Sequence, residues 1–194
     1  LELYLIRHTA PDVPTGTCYG RTDVPLASSY RTDISGVISK LRIIPDRIYS
    51  SPSLRCSLLA ESIIESFENK LEYSDLLMEL NFGSWEGKLW SEIPESESVF
   101  WTENFVQAQT PNGESYGQLF DRVSTFLENK RNFPSDEKIG IVTHAGVIRS
   151  ILCKYLNLPL ETGFRFEVGY GSIGKLKIER NGTEVSAKLI FWNL

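Results

Sequence analysis

The 194-residue chain contains two histidines, and each follows a short apolar run directly: Leu3 to Ile6 leads into Arg7-His8, and Ile139 to Thr143 leads into His144-Ala-Gly146. Short apolar runs that stop abruptly at polar residues read as strands buried on both faces, as parallel sheets use them. Val147 to Leu156 then continues with a helical pattern, which makes a strand, turn, helix unit, and open α/β sheets keep their sites at such carboxyl edges. A lone histidine at a strand end is more often structural than chemical. Two at equivalent strand ends read as placed.

The rest of the chain supports an alternating α/β order. Pro11 to Pro25 is a loop rich in Pro, Gly and Thr, and Ile34, Val37, Ile38 and Leu41 then recur at helical spacing. Ile48-Tyr49 is a second short strand candidate, followed by a helix start at Ser51-Pro52 and an apolar helix face of Leu58, Leu59, Ile63, Ile64 and Phe67. Arg55 falls near the start of that helix, where unpaired backbone N–H groups and the dipole favour an anion. Glu79 lies inside the apolar stretch Leu76 to Leu80, ahead of a glycine- and aromatic-rich turn from Asn81 to Gly87. Residues 89 to 110 mix Trp90, Phe100, Trp101 and Phe105 with acids and predict short helices of a cap. Ser115-x-x-Gln118 resembles a capping box that opens a helix with Leu119, Phe120, Val123, Phe126 and Leu127 on one side. Asn181-Gly182 is a hairpin signal within a C-terminal antiparallel element.

Size and charge narrow the classes. A chain of this length with 41% hydrophobic residues and four tryptophans fits one domain spanning residues 1–194, with the cap around 85–110. With 25 acids against 20 bases, the net charge of -5 argues against a nucleic-acid-binding surface. No apolar run reaches membrane-spanning length and no basic stretch precedes an apolar one, so no membrane partner is expected. Cys18, Cys56 and Cys153 lack disulfide or metal-site spacing and read as packing residues, which favours a reducing, cytoplasmic location.

Four blocks, Leu5-Ile-Arg-His-Thr9, Ser51-Pro-Ser-Leu-Arg55, Leu77-Met-Glu-Leu-Asn-Phe-Gly83 with Trp85-Glu-Gly87, and Thr143-His-Ala-Gly146, resemble the histidine phosphatase superfamily in order and spacing. The resemblance implies a three-layer α/β/α sandwich around a mostly parallel, phosphoglycerate mutase-like sheet. It also implies that His8 attacks phosphorus to form a phosphohistidine, that Glu79 protonates the leaving oxygen and then activates water, and that Arg7, Arg55 and His144 bind the phosphoryl group. No cofactor and no metal are expected. A histidine is nucleophilic only when its attacking nitrogen is unprotonated, and flanking arginines disfavour extra positive charge there. Taken alone, Arg55 reads as a solvated helix-face residue and Glu79 as a strand-edge carboxylate; the two placed histidines tip both toward the site.

Thr9, Arg21, Thr22 and Ala145 are further candidates for contacts to substrate, and Pro111 to Ser115 reads either as a segment near substrate or as an ordinary loop and helix cap. The chain departs from the common Arg-His-Gly-Glu-Thr pattern in reading Arg7-His-Thr-Ala-Pro11, and the usual asparagine beyond the histidine is not evident; Thr9, Thr15 or Thr17 could substitute. His-Thr-x-Pro with Cys18-Tyr-Gly-x-x-Asp-Val-Pro-Leu26 is most similar to the alpha-ribazole phosphatases, which implies action on alpha-ribazole 5'-phosphate in cobalamin biosynthesis and inhibition by vanadate or tungstate. A broad sugar or organic phosphatase, a phosphoglycerate mutase-like enzyme and a non-enzymatic phosphate-binding scaffold stay open beside it, as do monomer and dimer.

Overall fold

Among the described residues, six strands form one sheet in the order β3-β2-β4-β1-β5-β6. They are β1 (Glu2–Arg7), β2 (Arg47–Ser50), β3 (Lys70–Tyr73), β4 (Lys138–Thr143), β5 (Ile173–Asn181) and β6 (Glu184–Phe191). The computed structural model describes residues 1–41, 43–67, 70–130, 134, 136–181 and 184–194. The first four strands run parallel, and β5 and β6 add antiparallel to β1 and to each other. The described residues also form helices α1 (Tyr30–Lys40), α2 (Leu54–Phe67), α3 (Glu95–Asn104), α4 (Tyr116–Asn129) and α5 (Ala145–Leu156), with short 3-10 turns between some of the elements. The side chain of Phe67 and the hairpin residue Gly182, both singled out in the sequence, lie outside the described residues.

The pleat sorts the apolar strand residues into two layers. Leu3, Leu5, Ile139 and Ile141 meet Leu119, Val123 and Phe126 of α4 and Val147, Ile148 and Ile151 of α5. Tyr4, Ile6, Ile48 and Val142 point the other way, onto Ile34 and Val37 of α1 and Leu59, Ala60 and Ile63 of α2. The result is an α/β/α sandwich with apolar contacts on both faces of the central strands. Ser115 closes the expected capping box, accepting from Gln118 N at 3.2 Å while Gln118 Oε1 accepts from Ser115 N at 2.9 Å, which satisfies two donors and adds about 1 kcal/mol to the helix start. Helix α5 ends at Asn157, whose φ of 53° is the left-handed cap that asparagine tolerates.

Several elements differ from the sequence expectation. Helix α2 begins at Leu54, three residues after Ser51, and the short edge strand β3 was not legible because its residues are largely exposed and mixed in character. The apolar stretch around Glu79 forms a short 3-10 turn at Asp75–Leu77 and then irregular chain. The segment expected as a cap holds a 3-10 turn at Trp90–Glu92 and then α3. Trp85, Trp90 and Trp101 meet one another, and Trp90 and Trp101 meet Phe82, at ring separations of 5.8 to 6.0 Å, which makes a local aromatic core while Phe100 of the same run stands exposed. All three cysteines are free and buried.

Candidate active site

Register decides where the chemistry collects. In the parallel pair of β1 and β4, Arg7 stands opposite Thr143, so the next residues, His8 and His144, leave the sheet side by side, with ring centroids 5.2 Å apart. On the other side of β4, Ser50 pairs with Val142, which brings Ser51 to Arg55 to the same edge. The Glu79 segment is drawn in by Thr143 Oγ1, which donates to the Leu77 carbonyl at 2.7 Å. The sheet thus gathers four distant segments around a cleft of about 280 Å³.

His8 is buried, and its Nδ1 lies 2.7 Å from the carbonyl oxygen of Thr9. A carbonyl can only accept, so Nδ1 carries the proton and the lone pair is left on Nε2. Burial holds the imidazole well below the ordinary histidine range, and the charges of Arg55 and Arg7 push it further down. The ring is therefore neutral and nucleophile-competent at neutral pH.

The two arginines each grip backbone and still leave a donor unused. Arg55, 1% exposed, donates to the carbonyls of Gly20 at 2.6 Å and Thr22 at 3.0 Å. Arg7 Nη1 donates to the Val168 carbonyl. The Nε of each is buried without a hydrogen-bond partner, and both side chains line the cleft. An unpaired buried N–H of a cation is costly in isolation, which an anion accepting in the cleft would relieve.

His144 is fully buried at the start of α5. Its Nε2 is 2.9 Å from Ser51 Oγ and 3.5 Å from both Ser53 Oγ and Cys56 Sγ. Burial, then His8, Arg55 and Arg7, depress its proton affinity well below the usual value, so in the free protein it is a neutral hydrogen-bonding group. Glu79 is half-buried; its Oε1 accepts from Leu80 N at 3.0 Å and its Oε2 from Gly146 N at 3.1 Å. Glycine at 146 lets the carboxylate lie against the start of α5, because a Cβ there would press on Glu79 Oε1 and make it move.

The other sequence candidates occupy different places. Thr9 acts on His8 through its carbonyl, and its side chain is not part of the cleft lining. Arg21 reaches Glu114 at 3.3 Å, and Thr22 donates through its backbone N and its hydroxyl to Glu86; neither lines the cleft. Ala145 is buried, and its neighbour Gly146 is the residue that reaches the cleft. Thr17 lines the cleft, with its hydroxyl donating to the Pro14 carbonyl at 2.7 Å, whereas Thr15 does not. The Pro111–Ser115 segment buttresses the site: Glu114 binds Arg122 at 2.7 Å, and Arg122 holds the carbonyls of Leu76 and Glu79, each at 2.9 Å.

Sequence reasoning missed Arg122, which sits on a helix whose periodicity says nothing of a backbone grip. It also missed Tyr19, Tyr116, Phe164 and Arg149 of the cleft wall. Arg149, five residues after His144 on α5, donates from Nε to the Phe166 carbonyl at 3.0 Å and lies over the Phe164 ring.

The two depressed histidines make stability depend on pH. In the unfolded chain they titrate near the ordinary value of 6.5, whereas in the folded protein they resist protonation. Below that value the unfolded state binds more protons, so stability falls as pH falls, by up to about 1.4 kcal/mol per pH unit for each histidine. Urea unfolding between pH 7 and pH 5 is expected to show this decline, and His8→Gln to reduce its slope by about half. A flat profile would mean that the folded histidines titrate as free ones do.

Comparison with known proteins agrees with this geometry. Residues 3–189 match the histidine phosphatase superfamily (branch 1). The chain is 27% identical over 184 residues to phosphoserine phosphatase 1 of Hydrogenobacter thermophilus, covering 92% of this chain and 87% of that one. It is 24% identical over 176 residues to the adenosylcobalamin/alpha-ribazole phosphatase of Salmonella typhimurium, covering 88% and 87%. The crystal structure of the alpha-ribazole phosphatase from Shigella flexneri superposes with a TM-score of 0.88 at 23% identity, over 100% of this chain and 96% of that one, a likeness of fold. Among the described residues, no helix is long and apolar enough to cross a membrane. With two histidines facing each other across paired parallel strands and a family match over nearly its whole length, the chain belongs to branch 1 of the histidine phosphatase superfamily and is a phosphatase of that superfamily.

Proposed function

We propose that the protein hydrolyses a small phosphomonoester through a phosphohistidine on His8. The observation that carries this reading is the neutral, buried His8 with its lone pair on Nε2, flanked by two arginines whose Nε groups have no partner. The phosphoryl group binds the arginines, and Nε2 attacks phosphorus in line as the ester P–O bond breaks. Glu79, protonated, delivers its proton to the leaving oxygen. Its carboxylate then takes a proton from water, which attacks the phosphohistidine and releases inorganic phosphate. His144 donates to the transferring group, and the incoming negative charge favours its protonated form.

For the substrate, we infer alpha-ribazole 5'-phosphate. Phe82, Trp90, Tyr116 and Phe164 line the cleft and suit an alcohol leaving group that carries a flat aromatic base, and the similarity to the Salmonella enzyme supports the same assignment. The relationship to phosphoserine phosphatase 1 makes O-phosphoserine the competitor to include. The test is steady-state phosphate release from alpha-ribazole 5'-phosphate, O-phosphoserine, phosphoglycerates and sugar phosphates, with and without chelator. A chelator-resistant preference of about a hundredfold or more in kcat/KM for alpha-ribazole 5'-phosphate is expected, the scale a polar or aromatic mismatch produces. Even turnover across the panel would sink the cobalamin assignment and keep the chemistry, and no turnover would favour a phosphate-binding scaffold.

A further inference from the structure

Two tyrosines outside the four sequence blocks close a ring around the nucleophile. Tyr19, in the loop after β1, and Tyr170, in the loop before β5, are 151 residues apart, and their hydroxyl oxygens lie 2.5 Å from each other. Each ring lies against one of the two arginines: Arg7 Cζ is 3.7 Å from the centroid of Tyr170, and Arg55 Cζ is 5.3 Å from that of Tyr19. The backbone repeats the pattern. Arg7 donates to the Val168 carbonyl beside Tyr170, Gly171 N donates to the His8 carbonyl at 3.0 Å, and Arg55 donates to the Gly20 carbonyl beside Tyr19. Each arginine thus holds the loop that carries its own tyrosine, and the hydroxyl pair joins the loops.

The chemistry of the pair favours positioning. Burial, and then the neighbouring hydroxyl, keep the proton on Tyr19; within the pair one hydroxyl donates and the other accepts. A cation over an aromatic face gains about 0.5–2 kcal/mol, enough to select one orientation of a guanidinium whose Nε has no other partner. One phosphoryl group can satisfy both Nε donors only when the two guanidiniums stand at a fixed separation. Joined tyrosines supply a strut for that separation which neither ring supplies alone.

We propose that the Tyr19–Tyr170 hydroxyl pair is a positioning clasp that sets the spacing of Arg7 and Arg55 for a single phosphoryl group. The proposal rests on the reading of those arginines as the phosphoryl-binding pair. The clasp belongs to the phosphoryl end of the cleft, so its effect is independent of what the leaving group is.

The test is a double-mutant cycle on Tyr19→Phe and Tyr170→Phe, which keep both rings and remove the hydroxyl bond, read by equilibrium binding of vanadate and by the split of KM against kcat. Each single variant is expected to weaken vanadate binding about fivefold, the scale of one neutral hydrogen bond. The double variant should be no weaker than either single one, because either substitution already breaks the same bond. Tyr170→Leu, which also removes the ring over Arg7, should weaken binding further, and thermal unfolding of all variants identifies loss through misfolding. Unchanged affinity in the Phe variants, or effects that add in the double variant, would overturn the clasp. If the wild-type protein itself fails to bind vanadate, the underlying phosphoryl-site reading fails instead, so the two failures are distinguishable.

Discussion

Replacing His8 by alanine is expected to lower kcat/KM by about ten-thousandfold or more, the scale seen when a covalent nucleophile is removed, and to abolish a labelled phosphoprotein that is acid-labile and alkali-stable. The reason lies in the hydrogen bond to Thr9, which commits the proton to Nδ1 and leaves Nε2 as the nucleophile, and in the burial and positive neighbours that keep the ring neutral. Rapid quenching of wild-type enzyme with phosphorus-labelled substrate, beside His8→Ala, is the measurement. Because the arginines remain in the variant, it should still bind vanadate, though more weakly. Retained turnover with a phosphoprotein elsewhere on the chain would remove His8 from its assigned role.

The second large effect concerns Glu79 and depends on the leaving group. With alkyl phosphates, Glu79→Gln is expected to lower kcat by about a hundred- to ten-thousandfold, the range of general acid–base catalysis. An aryl phosphate expels a stable phenolate and needs little protonation, so the first step should survive while hydrolysis of the phosphohistidine slows. Stopped-flow measurement should then show a burst of phenolate near one equivalent per enzyme, with phosphorylated His8 accumulating. Gly146→Ala should shift activity in the same direction, because the added Cβ would meet Glu79 Oε1 at 2.3 Å and displace the carboxylate from its two backbone donors. Equal losses on aryl and alkyl phosphates, without a burst, would count against an acid–base role.

These expectations draw unequally on sequence and on structure. The alternation of short apolar runs with helical periodicity was enough for the α/β class, because a doubly buried strand and an amphipathic helix each leave a local hydrophobic pattern. Two histidines at strand ends pointed to the site, since a parallel sheet aligns the carboxyl ends of neighbouring strands. The capping box at Ser115 was equally legible, its four residues containing all the atoms of the motif. The edge strand β3 was not, because exposure on an edge removes the alternation that marks a half-buried strand.

Roles that depend on long-range contact were beyond the sequence. Arg21 and Thr22 lie beside the site in the chain, yet their side chains bind Glu114 and Glu86, acids from segments over 60 residues away, and Arg21 Nε also donates to the Glu79 carbonyl at 3.5 Å. Arg122 was invisible for the opposite reason, as an ordinary charged helix residue until the fold puts two carbonyls and Glu114 within its reach. The clasp of Tyr19 with Tyr170 exists only once loops from opposite ends of the chain meet, and the aromatic wall with Arg149 only once segments from Phe82 to Phe164 converge on one cleft. The sequence by itself determined the central buried strands, the amphipathic helices and the two strand ends that carry histidines, because hydrophobic pattern and chain direction are written locally. Only the tertiary structure decided the backbone grip on Arg7 and Arg55 that leaves their Nε donors unused, and the hold of Gly146 on Glu79, because each depends on which distant backbone atom ends up within about 3 Å.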